Sequence, residues 1–563
     1  MANPVFSWYF SHRTALSGRL RRAVLFRRAL WFRRLLQGWG WMVAACYWGF
    51  LIWAAPVLAA PPTAGPPSSA SALFGQTPAK QGLPPAAGGV VLLAAGDLRG
   101  EIKPCGCAPT GQQGGLPRRL TMFQGQYGRP LMNLPDGPPD GPVLVDLGNN
   151  FPPPSDQGVL KAGLIQKMLR LYLPQAVLPG PNELAYGPAA LDKHLPYLIS
   201  NDSAGRRFAA SRTLTRLVTP LKGPPRRVEI HIYGYLSPRL VFQEFDESFH
   251  LEPVDFLLKS LAHPAKIQPA NARPQPAAIL LFRGEEDELA LLDQSGLFDL
   301  ILSGNPSEDE TRQITSRRVA EREYPQVATK GQAVTVITLP MRLFPPEAGL
   351  PIAGQPVSGK TVGGVGGDKP SAAKPGAKQG QGKGQAILEA APSGSSIRLE
   401  WLGDGFADHP AAKLPYQDYD RQTARLFFAR LDIQEKTKLT SPYLGAEGCG
   451  SCHPHQVQVW KTSRHGGAYK ALEKVGKQFD PECVACHTAG YERGGFLSQD
   501  LTPHLAGVQC ENCHGPGRRH SQNPSVKTGG LTKAPKEAVC GACHVGSHSP
   551  AFDLPTYWPK IAH

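Results

Sequence analysis

The sequence predicts two folded parts of different character: an α/β domain, followed by a small, mostly α and loop-rich C-terminal domain. Three observations lead there. At 563 residues the chain is too long for one hydrophobic core. From residue 89 onward, short β-branched or Leu-rich runs alternate with helix-like segments. Beyond about residue 441 large aliphatics become sparse while Cys, His and Gly dominate, so that stretch cannot fold around its own side chains alone.

Residues 1–60 carry eight Arg and no acid, then an apolar run over 39–58 that ends in Val57-Leu58-Ala59 ahead of a Pro-rich stretch. That order reads as a signal peptide, with an uncleaved membrane anchor through 39–58 as the alternative. Either way the body of the protein is expected outside the cytoplasm, periplasmic or on the outer surface. Val43-Ala44-Ala45-Cys46 resembles a lipoprotein box, but the apolar run continues past Cys46 and the match reads as chance. The net charge of +15 first suggests a nucleic-acid partner. Without residues 1–60, 52 basic residues face 45 acidic ones, and no nucleic-acid partner is expected.

Residues 61–88 are Pro, Ala, Gly and Ser with almost no large apolar side chain, hence a flexible linker. The α/β domain is expected over 89–356, with strands at 90–95, 143–146, 228–233, 278–282, 298–303 and 333–339 and helices at 160–173 and 253–262. Residues 357–396 form a low-complexity insertion. A strand at 397–402 and a helix at 422–431 return to the same domain, which closes at 440.

In 441–563, eight of the eleven cysteines fall into one repeated pattern: Cys449-Gly-Ser-Cys452-His453, Cys483-Val-Ala-Cys486-His487, Cys510-Glu-Asn-Cys513-His514 and Cys540-Gly-Ala-Cys543-His544. On a helical turn, residues three and four apart share a face. Two thiols can therefore reach the vinyl groups of one porphyrin while the next His meets its iron. Four haem c groups follow. Structural zinc also uses Cys-x-x-Cys pairs but has no need of His after each second Cys, and disulfides within the motifs would leave the histidines without a role.

The six methionines are all upstream, at 1, 42, 122, 132, 168 and 341, so axial Met from this region is excluded. Histidine remains, and His/His ligation favours low potentials. The expected distal set is His465, His520, His548 and His563. His455 lies two residues past a proximal His and reads as a solvent-exposed loop residue, while His504 follows a Pro in a loop and is left open. Arg518 and Arg519 are candidate partners of the haem propionates, or simply solvated charges.

Trp460-Lys-Thr-Ser463-Arg-His465, then Gly507-Val-Gln-Cys510-Glu-Asn-Cys513-His514-Gly515-Pro516 with His520 beyond, resembles the tetrahaem cytochrome c-554 family over about 441–563. The resemblance implies an electron carrier with closely stacked, mostly bis-His haems, sometimes with one five-coordinate iron. It matches His465 and His520 to distal-ligand positions.

Upstream, Gly96-Asp97-Leu98-Arg99-Gly100, Val145-Asp146-Leu147-Gly148-Asn149, Gly180-Pro181-Asn182-Glu183 and Gly304-Asn305-Pro306-Ser307 occur in an order that resembles calcineurin-like metallophosphoesterases of the 5′-nucleotidase kind. That implies a metallophosphoesterase-like α/β sandwich with two metal ions. Yet Arg99, Asn149, Pro181-Asn182, Arg283, Asn305 and Ser307 stand where the family's ligands belong, and of the family's ligand set only Asp97 survives. A pseudoenzyme scaffold is expected. Lys103-Pro104-Cys105-Gly106-Cys107, followed by Gly114-Gly115-Leu116-Pro117-Arg118-Arg119, is similar to segments of multihaem-fused relatives. Cys105 and Cys107 are either a thiol redox or metal site, or two plain loop cysteines.

Three functions are consistent with these readings. The first is electron relay between redox proteins. The second is a redox enzyme acting on a small nitrogen or sulfur compound at one open haem, and the third is a phosphoesterase.

Overall fold

The computed structural model describes residues 89–563 except 106–111, 128–138, 206, 221–222, 243–244, 246–248, 263–275, 305–315, 320–321, 345–386, 389–394, 437–440, 527–534, 546–547 and 550–551. They all fall within one compact unit, Pro78–His563. The expectations for 1–88, for Cys107 and for most of 357–396 lie outside the described residues.

The chain enters as β1 (Gly89–Ala95), forms a small hairpin of β2 (Pro104–Cys105) and β3 (Gln113–Gly114), and continues through α1 (Leu116–Tyr127), β4 (Val143–Asp146), α2 (Asp156–Tyr172) and β5 (Ala176–Val177). A second run comprises β6 (Ser211–Val218), β7 (Arg226–Leu236), α3 (Val254–Leu261), β8 (Ala277–Arg283), α4 (Glu286–Gln294) and β9 (Leu300–Ser303). After a hairpin of β10 (Ser316–Val319) and β11 (Arg322–Pro325) come β12 (Ala333–Pro340), β13 (Ile387–Leu388), β14 (Ser396–Trp401) and α5 (Lys413–Lys436).

Two sheets result, ordered β13-β14-β12-β1-β4-β5 and β6-β7-β8-β9. In the first, β1 lies between parallel β4 and antiparallel β12. In the second, β7, β8 and β9 are parallel. Central strands covered on both faces are apolar almost throughout, as in Val143-Leu-Val145 and Ile279-Leu-Leu-Phe282. Leu93 and Val145 of one sheet share a core with Ile230 and Ile279 of the other. Strand β14 pairs with β12, which returns the chain to the first sheet. Within the expected insertion, Ile387-Leu388 pairs with β14 because two adjacent apolar residues suffice for a short edge.

Helix α5 starts nearer the N-terminus than the expected residue 422, because Pro415 sits in its first turn, where no intrahelical N–H is lost. Pro117 hid α1 in the same way. Strand β6 alternates exposed and buried positions through Thr and Arg, so its pattern was too polar to stand out.

Helices α2 and α5 together carry the C-terminal segment. Phe427 stacks on Tyr491 at 6.0 Å and meets Phe479 at 5.7 Å. These rings join Tyr443, Tyr469, Val484, Phe496 and Leu505 in one apolar cluster. The segment therefore has a small core of its own in its first half, completed by a residue of α5. Polar bonds frame it: Gln157 Nε2 donates to Asp480 at 2.8 Å, Lys161 meets Glu482 at 2.6 Å, and Arg430 meets Glu492 at 2.7 Å. Phe427→Ala would leave a cavity at this junction, and thermal unfolding is expected to show a loss of about 3–5 kcal/mol.

Candidate haem-binding site

Each Cys-x-x-Cys-His motif lies on a helical turn. His453 N–H donates to Cys449 O at 2.9 Å and His544 N–H to Cys540 O at 2.9 Å. The second motif closes α6 (Pro481–His487) and the third forms α7 (Cys510–His514). Both thiols and the imidazole of a motif thus share one side of their turn.

The fold then brings imidazoles face to face from distant parts of the chain. His453 and His520 have ring centroids 6.3 Å apart, His465 and His544 6.2 Å, and His514 and His563 5.8 Å. Two metal–nitrogen bonds of about 2 Å plus the inner halves of two imidazoles fill roughly that gap. The other ring nitrogen is already engaged in several of them. Nδ1 of His520 bonds Val526 O at 2.8 Å, His563 Nδ1 bonds Ile561 O at 2.9 Å, and His544 Nδ1 bonds Ser549 Oγ at 3.1 Å. Such bonds fix the tautomer and leave Nε2 for iron. Burial also holds His465, His514 and His544 below the ordinary imidazole pKa, favouring the neutral form a metal requires.

His487 differs. Its Nδ1 bonds Ala468 O at 2.7 Å, but no second imidazole faces it among the described residues. Of the expected distal set, His465, His520 and His563 stand opposite motif histidines, whereas His548 does not. It is exposed, with its backbone tied to Val545 O, too close along the chain to His544 to cross to a far face. His455 and His504 are exposed as well.

The attachment sulfurs of different motifs are neighbours. Cys449 shares a hydrogen bond with Cys510, which pushes its thiol up, and Cys543 shares one with Cys486, which pulls the Cys486 thiol down to about 7. Cys513 feels Cys540, after burial and before Cys510. These links join the first motif to the third, the second to the fourth, and the third to the fourth. All eight thiols are free, and among the described residues no three His, Cys, Asp or Glu side chains gather as a zinc site would need. No apolar side chain after Leu505 is buried among the described residues, so this half of the segment has no core of its own side chains. The donor set, the gaps and that missing core fit haem c.

In the α/β body the candidate metal pocket is filled by cations. Asp97, wholly buried, accepts from Asn149 Nδ2 at 3.0 Å and faces Arg99 at 3.2 Å and Arg283 at 3.5 Å. Arg283 is itself held by Leu147 O at 3.0 Å. Asp97, Arg99 and Asn149 all take left-handed backbone at φ 54°, 51° and 56°, which gathers three strained residues around one carboxylate. Burial raises the Asp146 pKa, against the pull of Arg119. Asn305 and Ser307 lie outside the described residues. Only the backbone of Cys105 is placed, in β2.

Residues 448–515 match the family described as cytochrome c554 and c-prime. A curated relative, cytochrome c-554 of Nitrosomonas europaea, is 34% identical over 139 residues, covering 19% of this chain and 58% of the relative. The C-terminal segment is of the cytochrome c554 type. The chain spans little more than half of the relative's length. Among solved structures, the chain is similar to the sulfate thiohydrolase SoxB of Thermus thermophilus (14% identical, 66% of this chain and 69% of that one, TM-score 0.38). It is also similar to the calcineurin-like phosphoesterase YfkN of Bacillus subtilis (13%, 60% and 97%, TM-score 0.36). The two-sheet fold stands on its own strand pairing.

The cytochrome c554 segment also explains its own block of conserved-looking letters in physical terms. Gly507 has φ +89°, and a Cβ there would lie 2.9 Å from Gly466 O. That close approach lets Val508 N–H reach His465 O at 3.0 Å and Trp460 Nε1 reach Val508 O at 2.7 Å, seating His465. Arg518 is committed to the backbone, donating to Tyr443 O at 3.0 Å, so the propionate role expected of it has a competitor. Glu511 was overlooked in the sequence because a Glu inside a haem motif looks like filler. It is buried and accepts from Leu444 N–H at 2.9 Å, Gly445 N–H at 2.8 Å and Gly517 N–H at 2.7 Å, tying the first motif to the third. Glu511→Ala would orphan these donors and is expected to cost about 2–4 kcal/mol in denaturant unfolding.

Proposed function

We propose that this chain is an exported tetrahaem cytochrome c that relays electrons between redox proteins, with three bis-His irons and one open iron. The observation that carries the reading is the set of three imidazole pairs about 6 Å apart. Bound haem c supplies one-electron chemistry, and bis-His ligation favours low potentials. The chain holds each group by two thioether sulfurs and one histidine, and fixes imidazole orientation through the Nδ1 bonds. By setting sulfurs of the first and third, and of the second and fourth, motifs side by side it keeps the groups adjacent. The pairing proposed is His453 with His520, His544 with His465, and His514 with His563.

Export rests on the Arg-rich and apolar order of residues 1–60, with the body periplasmic or on the outer surface. Among the described residues no helix is long and apolar enough to cross a membrane, and residues 39–58 lie outside them.

The test is optical and EPR spectroscopy of protein matured in a host that attaches haem c. Four haems per chain are expected, three low-spin and one high-spin. His465→Ala, His520→Ala and His563→Ala should each convert one further haem to high spin, whereas His548→Ala should leave the spectrum unchanged. A zinc-loaded, colourless protein would overturn the reading.

A second reading, a redox enzyme acting on a small nitrogen or sulfur compound, is favoured by the lone His487. Carbon monoxide or nitric oxide binding to one iron in four, with turnover of such a compound, would establish it. The α/β body is proposed to be a scaffold without phosphoesterase activity, because guanidinium groups occupy the surroundings of Asp97. Calorimetric titration with Mn²⁺ is expected to show no binding that depends on Asp97.

A further inference from the structure

The cross-junction hydrogen bonds and ion pairs described above land within residues 477–492, around the second motif and no other. Asp480 is the residue before α6, the helix that carries Cys483, Cys486 and His487. It accepts from Gln157 of α2 and lies 3.5 Å from Lys477. Lys477, buried, pairs with Asp420 of α5 and sits 5.4 Å over the Tyr419 ring. Lys103, beside β2, meets Lys477 and is drawn to the same Asp420 and Asp480. Glu482, next to Cys483, is neutralised by Lys161 of α2 at 2.6 Å. Asp480 precedes the helix that carries Cys483, Glu482 adjoins Cys483 in sequence, and Lys477 and Lys161 are the cations paired with them.

We propose that the α/β body serves as the electrostatic setting of the second haem, fixing its reduction potential through Lys103, Lys161 and Asp420. This rests on the tetrahaem reading above. Reduction removes one positive charge from the iron, so a nearby cation favours the reduced state and a nearby anion the oxidised state. Lys103 acts directly, Lys161 by cancelling Glu482, and Asp420 by cancelling Lys477. Lys161 and Lys477 are buried, so their pairings act in a lower dielectric than surface pairs do, whereas Lys103, Glu482 and Asp420 reach solvent. Because all three side chains come from the body and meet one motif, the effect should be confined to one haem in four.

The test is a spectroelectrochemical titration of the full-length haem-loaded protein and three variants, following the high-spin haem by its own absorption. Lys103→Gln and Lys161→Gln are expected to lower its midpoint, Asp420→Asn to raise it, and the other three midpoints to stay in place. Lys167→Gln, whose partner Asp418 lies on the exposed side of the same helix pair, serves as a control with no shift expected. Opposite signs for opposite charges separate this effect from simple loosening of the junction. Midpoints that do not move, that move in the same direction in all three variants, or that move across all four haems would overturn the proposal. If Asp420→Asn fails to accumulate, Glu482→Gln, which removes the anion next to Cys483, supplies the expected rise, and if one lysine variant fails the other supplies the fall. Fewer than four haems in the unaltered protein would instead overturn the underlying tetrahaem reading.

Discussion

The gap between facing imidazoles is the constraint on which the C-terminal segment depends. Each pair holds its rings about 6 Å apart, and the outer nitrogens of His520, His544 and His563 are tied to backbone or hydroxyl oxygen. The sparse burial of apolar side chains after Leu505 belongs to the same arrangement: the chain there is shaped around donors, and its own aliphatics do not close it.

What the sequence revealed, and what it did not, follows the range of the interactions. The four motifs were legible because their chemistry is completed within five residues, as the bonds from His453 and His544 back to Cys449 and Cys540 show. Which partner histidine faces which motif was not, because His563 meets His514 and His465 meets His544 only after the chain has turned back on itself. His548 misled for the same reason: as a spare histidine in a haem-rich segment it fitted a count, while its place one turn past His544 fitted no geometry. In the α/β body the central strands were plain from their apolar runs, but β6, with Ser and Thr on its open face and Arg216 among its buried positions, was not.

The degenerate pocket shows a second kind of hidden information. Replacement of metal ligands by Arg99, Asn149 and Arg283 was readable residue by residue. That Arg283 also binds Leu147 O, and so braces the loop from inside, needed coordinates. The guanidinium there is a strut that ties the loop after β4 to the carboxylate of Asp97. The same holds at the junction, where Lys477 and Asp480 look like ordinary surface charges until α2 and α5 close over them.

Helix α5 has a mechanical meaning of its own. Its 24 residues make an unbroken rod of about 36 Å, rooted beside the first sheet and ending among the aromatic rings under the second motif. A rod of that kind acts as a ruler: whatever grips the α/β body holds the nearest redox centre at one distance and one angle. Tunnelling between proteins falls steeply with separation, so a fixed standoff turns a scaffold into a way of choosing which neighbour may exchange charge.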